Sequence, residues 1–229
     1  MFFPWVGMLE QIRLADVYVH YDDVQFSKGS FTNRVQIKTA QGSKWLTLPV
    51  SVHLGDSIRE VRLSDKGDWR KGHLSFLSQA FGGAPHAREA LELVEKVYGD
   101  GLEMLNDVAV ASMDALLAFF DIVPARVLRS SEMGIEGKSW PRVLDIVKKV
   151  GGDVYITGHG AREYMDHEAF ESAGVRIEYL DYEKRPYPQL HGEFTPFVSA
   201  LDLVANMGRD GRQFIASGTK PWREFVRGS

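Results

Sequence analysis

The chain has 229 residues, a formal net charge of −4 and no cysteine. Its length and its 44% of hydrophobic residues are sufficient for a buried core. The lack of cysteine excludes disulfides, thiolate zinc sites and a cysteine nucleophile, and it favours a reducing, cytoplasmic location. The basic residues are scattered and the sequence pI is near 6.0, so no nucleic-acid partner is predicted. The first residues contain neither a basic segment nor an uninterrupted apolar run, so neither a signal peptide nor a membrane span is predicted.

The N-terminal part of the chain is predicted to be rich in strands. A short helix (residues 9–15) precedes an apolar strand (16–21). The alternating segments 34–39 and 44–50 flank a tight turn, which indicates a hairpin. From residue 72 to 120 the apolar residues recur at spacings of three and four, a pattern typical of helices that pack on a core.

The rest of the chain alternates between strand and helix patterns. They occupy, in turn, residues 125–131, 140–150, 153–158, 161–173 and 175–182. This order predicts βαβ units and a mainly parallel, Rossmann-like sheet, so the expected fold class is α/β. We expect a single α/β domain over residues 1–208, which includes the helical segment 72–120, and a C-terminal tail over residues 209–229.

Two candidate loops follow predicted strands. Residues 21–34 concentrate polar side chains, and Asp22 and Asp23 come directly after the first strand. The loop 157–162, with glycines at 158 and 160, follows a second strand and opens a helix. Ligands of open α/β sheets bind beyond the carboxyl ends of parallel strands, so the two loops would share a site if both strands belong to one sheet. A plain tight turn is the alternative interpretation of the glycines.

Several other polar residues have structural interpretations. His20 lies within a strand and alternates with Tyr18, which favours a buried histidine over a catalytic base, and His159 is the better placed histidine. Ser199 and Asp202 have the spacing of a helix capping box. No histidines have the spacing of a zinc site, so no metal site is predicted. One or two of the five tryptophans could form a stacking surface for a base or a sugar ring.

Several ordered motifs resemble the WbqC-like protein family. Residues 2–50, which contain PWVG, DDVQF, NRVQIK and WLTLPV, are similar to the opening of that family. The segments LRSSEM, YITGHGAREYMD and YPQLHGEFTPFVSALDLVANMG resemble its later motifs in the same order, so the resemblance covers residues 2–208. It implies a role in bacterial surface-polysaccharide biosynthesis, such as that of O-antigen, by acyl or glycyl transfer to a nucleotide-linked amino sugar. It implies no particular cofactor.

The resemblance also implies site residues in three segments. They are Asp22, Asp23, Gln25, Asn33 and Arg34, then Gly158, Gly160 and Tyr164, and finally Tyr187, Gln189 and Ser199. Two features depart from the family pattern. An apolar strand and a Gln-Pro pair are missing before the aromatic pair, and the family's Gly-Tyr-Phe reads Gly7-Met8-Leu9. A lost strand would leave an open sheet edge, so pairing with a second copy is one expectation.

Three hypotheses follow for the polar cluster. The first is an enzyme that binds a nucleotide-linked amino sugar and acylates its amine, with Asp22 or Asp23 as the base. Adjacent residues of an extended chain point in opposite directions, so at most one of the two should face a given pocket. The second is a non-catalytic nucleotide- or glycan-binding module, or a partner of another biosynthetic enzyme. The third is a buried polar network that only holds a hairpin in place.

Overall fold

The computed structural model describes residues 1–227 and shows an α/β fold. The helices are α1 (Val6–Arg13), α2 (Trp69–Ala80), α3 (Ala87–Gly99), α4 (Leu105–Phe119), α5 (Ser139–Val150), α6 (His167–Ser172), α7 (Ala200–Met207) and α8 (Trp222–Arg227). The strands are β1 (Val17–His20), β2 (Arg34–Thr39), β3 (Gly42–Thr47), β4 (Val50–Ser51), β5 (Arg62–Leu63), β6 (Arg126–Arg129), β7 (Val154–Thr157), β8 (Arg176–Asp181) and β9 (Gly218–Pro221). None of the helices in residues 1–227 combines the length and the apolar character needed to span a bilayer.

The strands of the described chain form four small sheets. β1 and β6 form a parallel pair, and β2 with β3 and β4 with β5 form antiparallel pairs. In the fourth sheet β8 lies between β7, which is parallel to it, and β9, which is antiparallel. The α/β class is therefore confirmed. A single, mainly parallel sheet is not observed, and a Rossmann-like arrangement is not confirmed, because the two parallel pairs belong to different sheets.

The chain divides into two compact units, each made of three separate stretches. Unit 1 contains residues 1–9, 22–123 and 184–215. Unit 2 contains residues 10–21, 124–183 and the described residues from 216 onward. The described part of the segment 209–229, for which a tail was expected, contains the end of a 3₁₀ helix (Gly208–Phe214), β9 and α8.

The core of unit 1 is built around α7, which is buried along most of its length. Residues 200–206 of this helix are all buried, the polar Asp202 and Asn206 included, so other elements surround it. α3 packs beside it, and α4 packs beside α3. Ser199 begins α7, since its side chain accepts a hydrogen bond from the backbone N–H of Leu201 at 3.2 Å.

The core of unit 2 lies between its mixed sheet and its helices. Buried residues from α5, the loop after β7, α6 and β8 form one apolar cluster, in which Phe170 and Tyr179 are fully buried. α5 ends at Gly151, whose φ of +78° is the left-handed conformation that glycine adopts most easily. α8 packs on the same cluster, and the ring of Phe225 stacks on that of Tyr179 with centroids 4.1 Å apart.

Candidate functional site

The predicted site residues are divided between the two units. Unit 1 contains Asp22, Asp23, Gln25, Asn33, Arg34, Tyr187, Gln189 and Ser199. Unit 2 contains Gly158, Gly160 and Tyr164. Each unit therefore has to be considered as a carrier of its own candidate site.

In unit 1 a group of buried polar side chains surrounds Gln189. This Gln189 network consists of Lys38, Tyr187, Gln189, Asp202 and Asn206. The Lys38 ammonium donates to Gln189 Oε1 at 2.9 Å, and Gln189 Nε2 donates to Asp202 Oδ1 at 2.7 Å. The same carboxylate oxygen accepts hydrogen bonds from Tyr187 and Asn206, at 2.9 and 3.2 Å. Gln189 therefore links a buried cation to a buried carboxylate.

Tyr187, Gln189 and Ser199 make contacts that stabilise the fold. Burial raises the pKa of Asp202, while hydrogen bonds from Gln189 and Tyr187 and the charge of Lys38 act in the opposite direction. Ser199 is fully buried and its hydroxyl donates to the carbonyl of Phe3. The ligand-binding roles of Tyr187, Gln189 and Ser199 remain predictions, since protein groups already occupy the polar atoms described here.

In the opening cluster, Asp22 and Asp23 differ in accessibility. Asp22 is 2% exposed, and its Oδ2 lies 3.5 Å from the side-chain amide nitrogen of Asn106. Asp23 is only partly buried. The next residues pair with the segment 56–59 through backbone hydrogen bonds, and Gln25 is exposed. Asp23 is thus the member of the pair with the more accessible carboxylate.

Asn33 is buried at the entrance to the β2–β3 hairpin. Its Nδ2 donates to the carbonyl of Leu48 at 3.1 Å, and its own backbone carbonyl accepts from the N–H of Leu48 at 2.8 Å. Its Oδ1 is buried and makes no hydrogen bond with the described residues. Asn33 therefore holds the base of the hairpin through Leu48 and leaves one acceptor unused.

Arg34 lies at the start of β2, in a different environment. Its guanidinium stacks over the ring of Trp45 at 4.1 Å. Trp45 is 42% exposed and Phe31 is 48% exposed, and their ring centroids are 5.7 Å apart. Arg34 makes no hydrogen bond or ion pair with another residue in the range 1–227, and its Nε is buried without a partner. We call Phe31, Arg34 and Trp45 the Arg34 platform.

The other stacked arginines show how unusual this guanidinium is. Four further arginines of the described chain lie over an aromatic ring. Each donates a hydrogen bond to the protein: Arg70 to Leu102 O, Arg142 to Ile135 O, Arg209 to Phe119 O and Arg223 to Glu171. Arg34 differs from all four, because its N–H donors make no hydrogen bond within residues 1–227. A stacking role was predicted for one or two of the tryptophans, but no sequence signal pointed to Phe31.

In unit 2 the glycines of the predicted loop have ordinary backbone conformations. Gly158 has a φ of −86° and caps a 3₁₀ helix (His159–Glu163), and Gly160 is not among the residues with positive φ. His159 Nε2 lies 2.8 Å from the carbonyl oxygen of Leu180, a contact that holds the loop on β8. The predicted roles of Gly158 and Gly160 in ligand binding stay predictions.

Tyr164 borders an open depression on the surface of unit 2. The depression has a volume of about 480 Å³ and is lined by Glu163, Tyr164, Met165, Asp166, His167, Glu168 and Trp222. Tyr164 is 48% exposed, and burial of its hydroxyl end raises its pKa. Of the unit 2 residues that the sequence singled out for ligand binding, Tyr164 is the one that lines this depression.

Glu10, on α1, is a buried carboxyl group in unit 2. The residue is 1% exposed, and its Oε2 makes no hydrogen bond with residues 1–227. Burial raises the pKa of Glu10, and nearby polar groups of Ser217 and Ala216 offset only part of this effect. Folding therefore favours the protonated form of this side chain.

Glu10→Gln is expected to remove a pH dependence from the stability of unit 2. The pKa is raised above its ordinary value of 4.5, so the stabilising contribution of protonated Glu10 is complete below that pH. It is lost as the pH rises through the folded-state pKa. In urea titrations, the free energy of unfolding of the wild type should fall between acidic and neutral pH. The fall should be smaller in the glutamine variant. Glu136→Gln, at an exposed position, should follow the wild type, and equal slopes in all three proteins would contradict the prediction.

Comparison with known proteins identifies the class of this chain. A family model described as the WbqC-like protein family matches residues 1–214, and the chain belongs to that family. An uncharacterized protein of Mycobacterium tuberculosis (strain ATCC 25618 / H37Rv) is 31% identical over 221 residues, which cover 93% of this chain and 94% of that protein. No solved structure matches the chain. The family predicted from the ordered motifs is therefore confirmed.

Proposed function

We propose that this WbqC-like protein binds a nucleotide-linked amino sugar of bacterial surface-polysaccharide biosynthesis at the Arg34 platform. The observation that carries the proposal is the Arg34 guanidinium, which stacks on Trp45 and has no protein partner within residues 1–227. Guanidinium donors match the oxygens of a phosphate, and exposed aromatic rings stack on bases and sugars. A cysteine-free chain fits a cytoplasmic place of action, where such ligands would be met.

The environment of Arg34 favours one direction of approach. Its Nε is buried, so a ligand would reach the guanidinium through the two terminal nitrogens. Gly29 lies beside the terminal nitrogens of Arg34, since a Cβ at residue 29 would be 3.3 Å from Nη2. The φ of Gly29 is +78°, a conformation that is strained for other residues. Glycine at this position therefore leaves room beside the donors that a phosphate would use.

The reaction that we propose is transfer of an acyl or glycyl group from an activated donor, such as a thioester, to the amine of the sugar. The N–C bond forms as the bond to the leaving group breaks, and the ammonium proton passes to a base. Asp23 is our candidate for that base, because its carboxylate is more accessible than that of Asp22. The nitrogen loses a second proton as the amide forms, and the leaving thiolate takes it up and departs as a thiol.

A second candidate function is that of a binding module without catalysis. It is favoured by the Gln189 network, in which Tyr187 and Gln189 are engaged by protein groups. Product formation and ligand binding, measured in the wild type and in Asp23→Asn, separate the two functions. An enzyme should keep ligand binding and lose product formation in this variant. A binding module should form no product even as the wild type.

The binding proposal is tested by thermal unfolding with a UDP-linked amino sugar. At about a hundred times its dissociation constant, a ligand adds roughly 2.7 kcal/mol to stability, so a clear shift is expected for the wild type. Arg34→Ala should lose the shift. Arg70→Ala is the matched control, because Arg70 stacks on Trp69 at 4.3 Å but is already bound to a carbonyl. It should keep the shift.

Two results would count against the proposal. One is an equal ligand-induced shift in Arg34→Ala and in the wild type, which would place the ligand elsewhere. The other is a wild type that no nucleotide sugar stabilises, together with an Arg34→Ala protein that unfolds early without ligand. That result would make Arg34 a part of the scaffold.

A further inference from the structure

One edge of β1, in unit 2, has no partner strand within residues 1–227. β1 pairs with β6 alone, and the ladder begins with the N–H of Arg126, which donates to the carbonyl of Asp16 at 3.1 Å. Backbone groups alternate in direction along a parallel ladder, so Val17 and Val19 direct their N–H and carbonyl groups away from β6. None of these four groups makes a hydrogen bond with the described residues.

β7 has an open edge of the same kind. It pairs with β8 alone, and the N–H of Arg176 donates to the carbonyl of Asp153 at 2.9 Å. Val154 and Ile156 therefore direct their backbone groups away from β8. Their N–H groups have no partner in residues 1–227, but the carbonyl of Ile156 accepts from Gln11 Nε2 at 3.0 Å. A side-chain amide thus occupies a position at which a neighbouring strand would place a backbone N–H.

The two open edges lie near each other without being paired. Gln11 belongs to α1, the helix that leads into β1, and it reaches the edge of β7. Burial raises the pKa of Tyr155, on β7, to about 12, and the nearby Tyr21, which directly follows β1, contributes to this rise. Paired strands lie about 4.8 Å apart, so two nearby strands that do not pair leave a gap between them. We call the residues that direct backbone groups into it the β1–β7 gap: Val17, Val19, Val154 and Ile156.

The outer edges of the two sheets differ from the edges at the gap. β6 begins with Arg126 and ends with Arg129, and β9 contains Lys220 and Pro221. Charged residues and proline commonly protect a sheet edge from pairing with another chain. β1 and β7 read VYVH and VYIT, without lysine, arginine or proline. Such β-branched runs are typical of strands that have a neighbour on each side in a parallel sheet.

We propose that the β1–β7 gap binds an extended peptide segment of a partner protein as an added strand. The segment supplies acceptors for the free N–H groups of the gap and donors for its carbonyls, the mode of recognition known as β-augmentation. Because the four gap residues are valine and isoleucine, the segment that fits is apolar and β-branched. It displaces the side chain of Gln11 from the carbonyl of Ile156. The inference rests on unit 2 alone and does not depend on ligand binding at Arg34.

Amide hydrogen exchange, followed by NMR in the full chain, provides the first test. The probe is a synthetic peptide of sequence KVIVVTK, and KVIPVTK, in which proline interrupts the strand, is its control. Without peptide, the four gap amides should exchange fast, while those of Tyr18 and Tyr155, which face β6 and β8, should be protected. Saturation with KVIVVTK should slow the gap amides by about tenfold or more, and KVIPVTK should not. Gap amides that are already protected in the free protein, or that KVIVVTK does not slow, would overturn the proposal.

A pair of proline variants provides the second test. Val19→Pro removes an N–H that faces the gap and keeps the ladder with β6, so it should weaken peptide binding by about two- to tenfold, the loss of one hydrogen bond. Val127→Pro is the matched control, because the N–H of Val127 faces the outer edge of β6. It should bind the peptide as the wild type does. Equal weakening in both variants would overturn the proposal.

Gln11→Ala tests the gap without a change in any strand. The bond from Gln11 to Ile156 would no longer have to be broken, so this variant should bind KVIVVTK about two- to tenfold more tightly than the wild type. Weaker binding would overturn the proposal. Gap amides that become protected without peptide as the protein concentration rises would also overturn it, since a second copy of the chain would then be the occupant.

Discussion

Lys38→Met is expected to lower the free energy of unfolding of unit 1 by about 1–3 kcal/mol, the cost of leaving buried hydrogen-bonding groups without their partner. Methionine keeps most of the length of the side chain and removes only the ammonium. Three acceptors would lose their donor: Gln189 Oε1 and the carbonyls of Gly192 and Glu193. The carboxylate of Asp202 would lose the positive charge that offsets its burial.

Urea titration measures this change, and Lys44→Met is the matched control. Lys44 lies on β3 of the same hairpin, is exposed, and has only a 3.5 Å contact with Gln41. Its replacement should change the free energy of unfolding by less than about 0.5 kcal/mol. If both variants had the same unfolding midpoint, the Gln189 network would not be a source of stability.

Gly208→Ala should destabilise unit 1 by about 3 kcal/mol or more, because backbone strain and a steric clash add to each other. Gly208 has a φ of +54° and a ψ of −143°, a combination that is essentially confined to glycine. A Cβ at this position would lie 2.6 Å from His86 Nδ1. That nitrogen makes a 2.6 Å contact with Glu89, so moving the ring would also break this pair.

The control for this substitution is Gly72→Ala. Gly72 lies in α2, and a Cβ there would meet no atom within 4 Å. Alanine should stabilise the helix by about 0.5–1 kcal/mol, since glycine is the more flexible residue in the unfolded chain. In the same urea assay, the free energy of unfolding should therefore fall in Gly208→Ala and rise in Gly72→Ala. A Gly208→Ala protein as stable as the wild type would contradict this prediction.

Local patterns in the sequence predicted most of the elements. The alternation on either side of the turn at residue 41 predicted the β2–β3 hairpin, and the apolar spacing predicted α3, α4, α5 and α7. A helix was predicted over residues 161–173, but the α-helix there is only the short α6. It starts late because Asp166 caps it by accepting a hydrogen bond from the N–H of Ala169. An Asp three residues before an apolar turn is a signal that could have located this helix start.

The pairing of strands and the uses of polar side chains could not be predicted in the same way. Val17 of β1 lies opposite Arg126 of β6, far along the chain, and no local pattern specifies such a partner. Lys38 has the sequence context of an ordinary strand residue, yet its partner Gln189 is 151 positions away. The resemblance to the family pointed to Arg34, but only the structure shows that its guanidinium has no partner in the described chain.

The interleaved composition of the two units also has a consequence for synthesis on the ribosome. Unit 1 needs α7, which begins at Ala200, because this buried helix packs against α3. Unit 2 needs β9, which begins at Gly218, to pair with β8. Unit 1 cannot be completed until α7 has left the ribosome exit tunnel, and unit 2 cannot be completed until β9 has done so. Until then the face of α3 that packs on α7 lacks its native partner, so this apolar surface is exposed in the nascent chain.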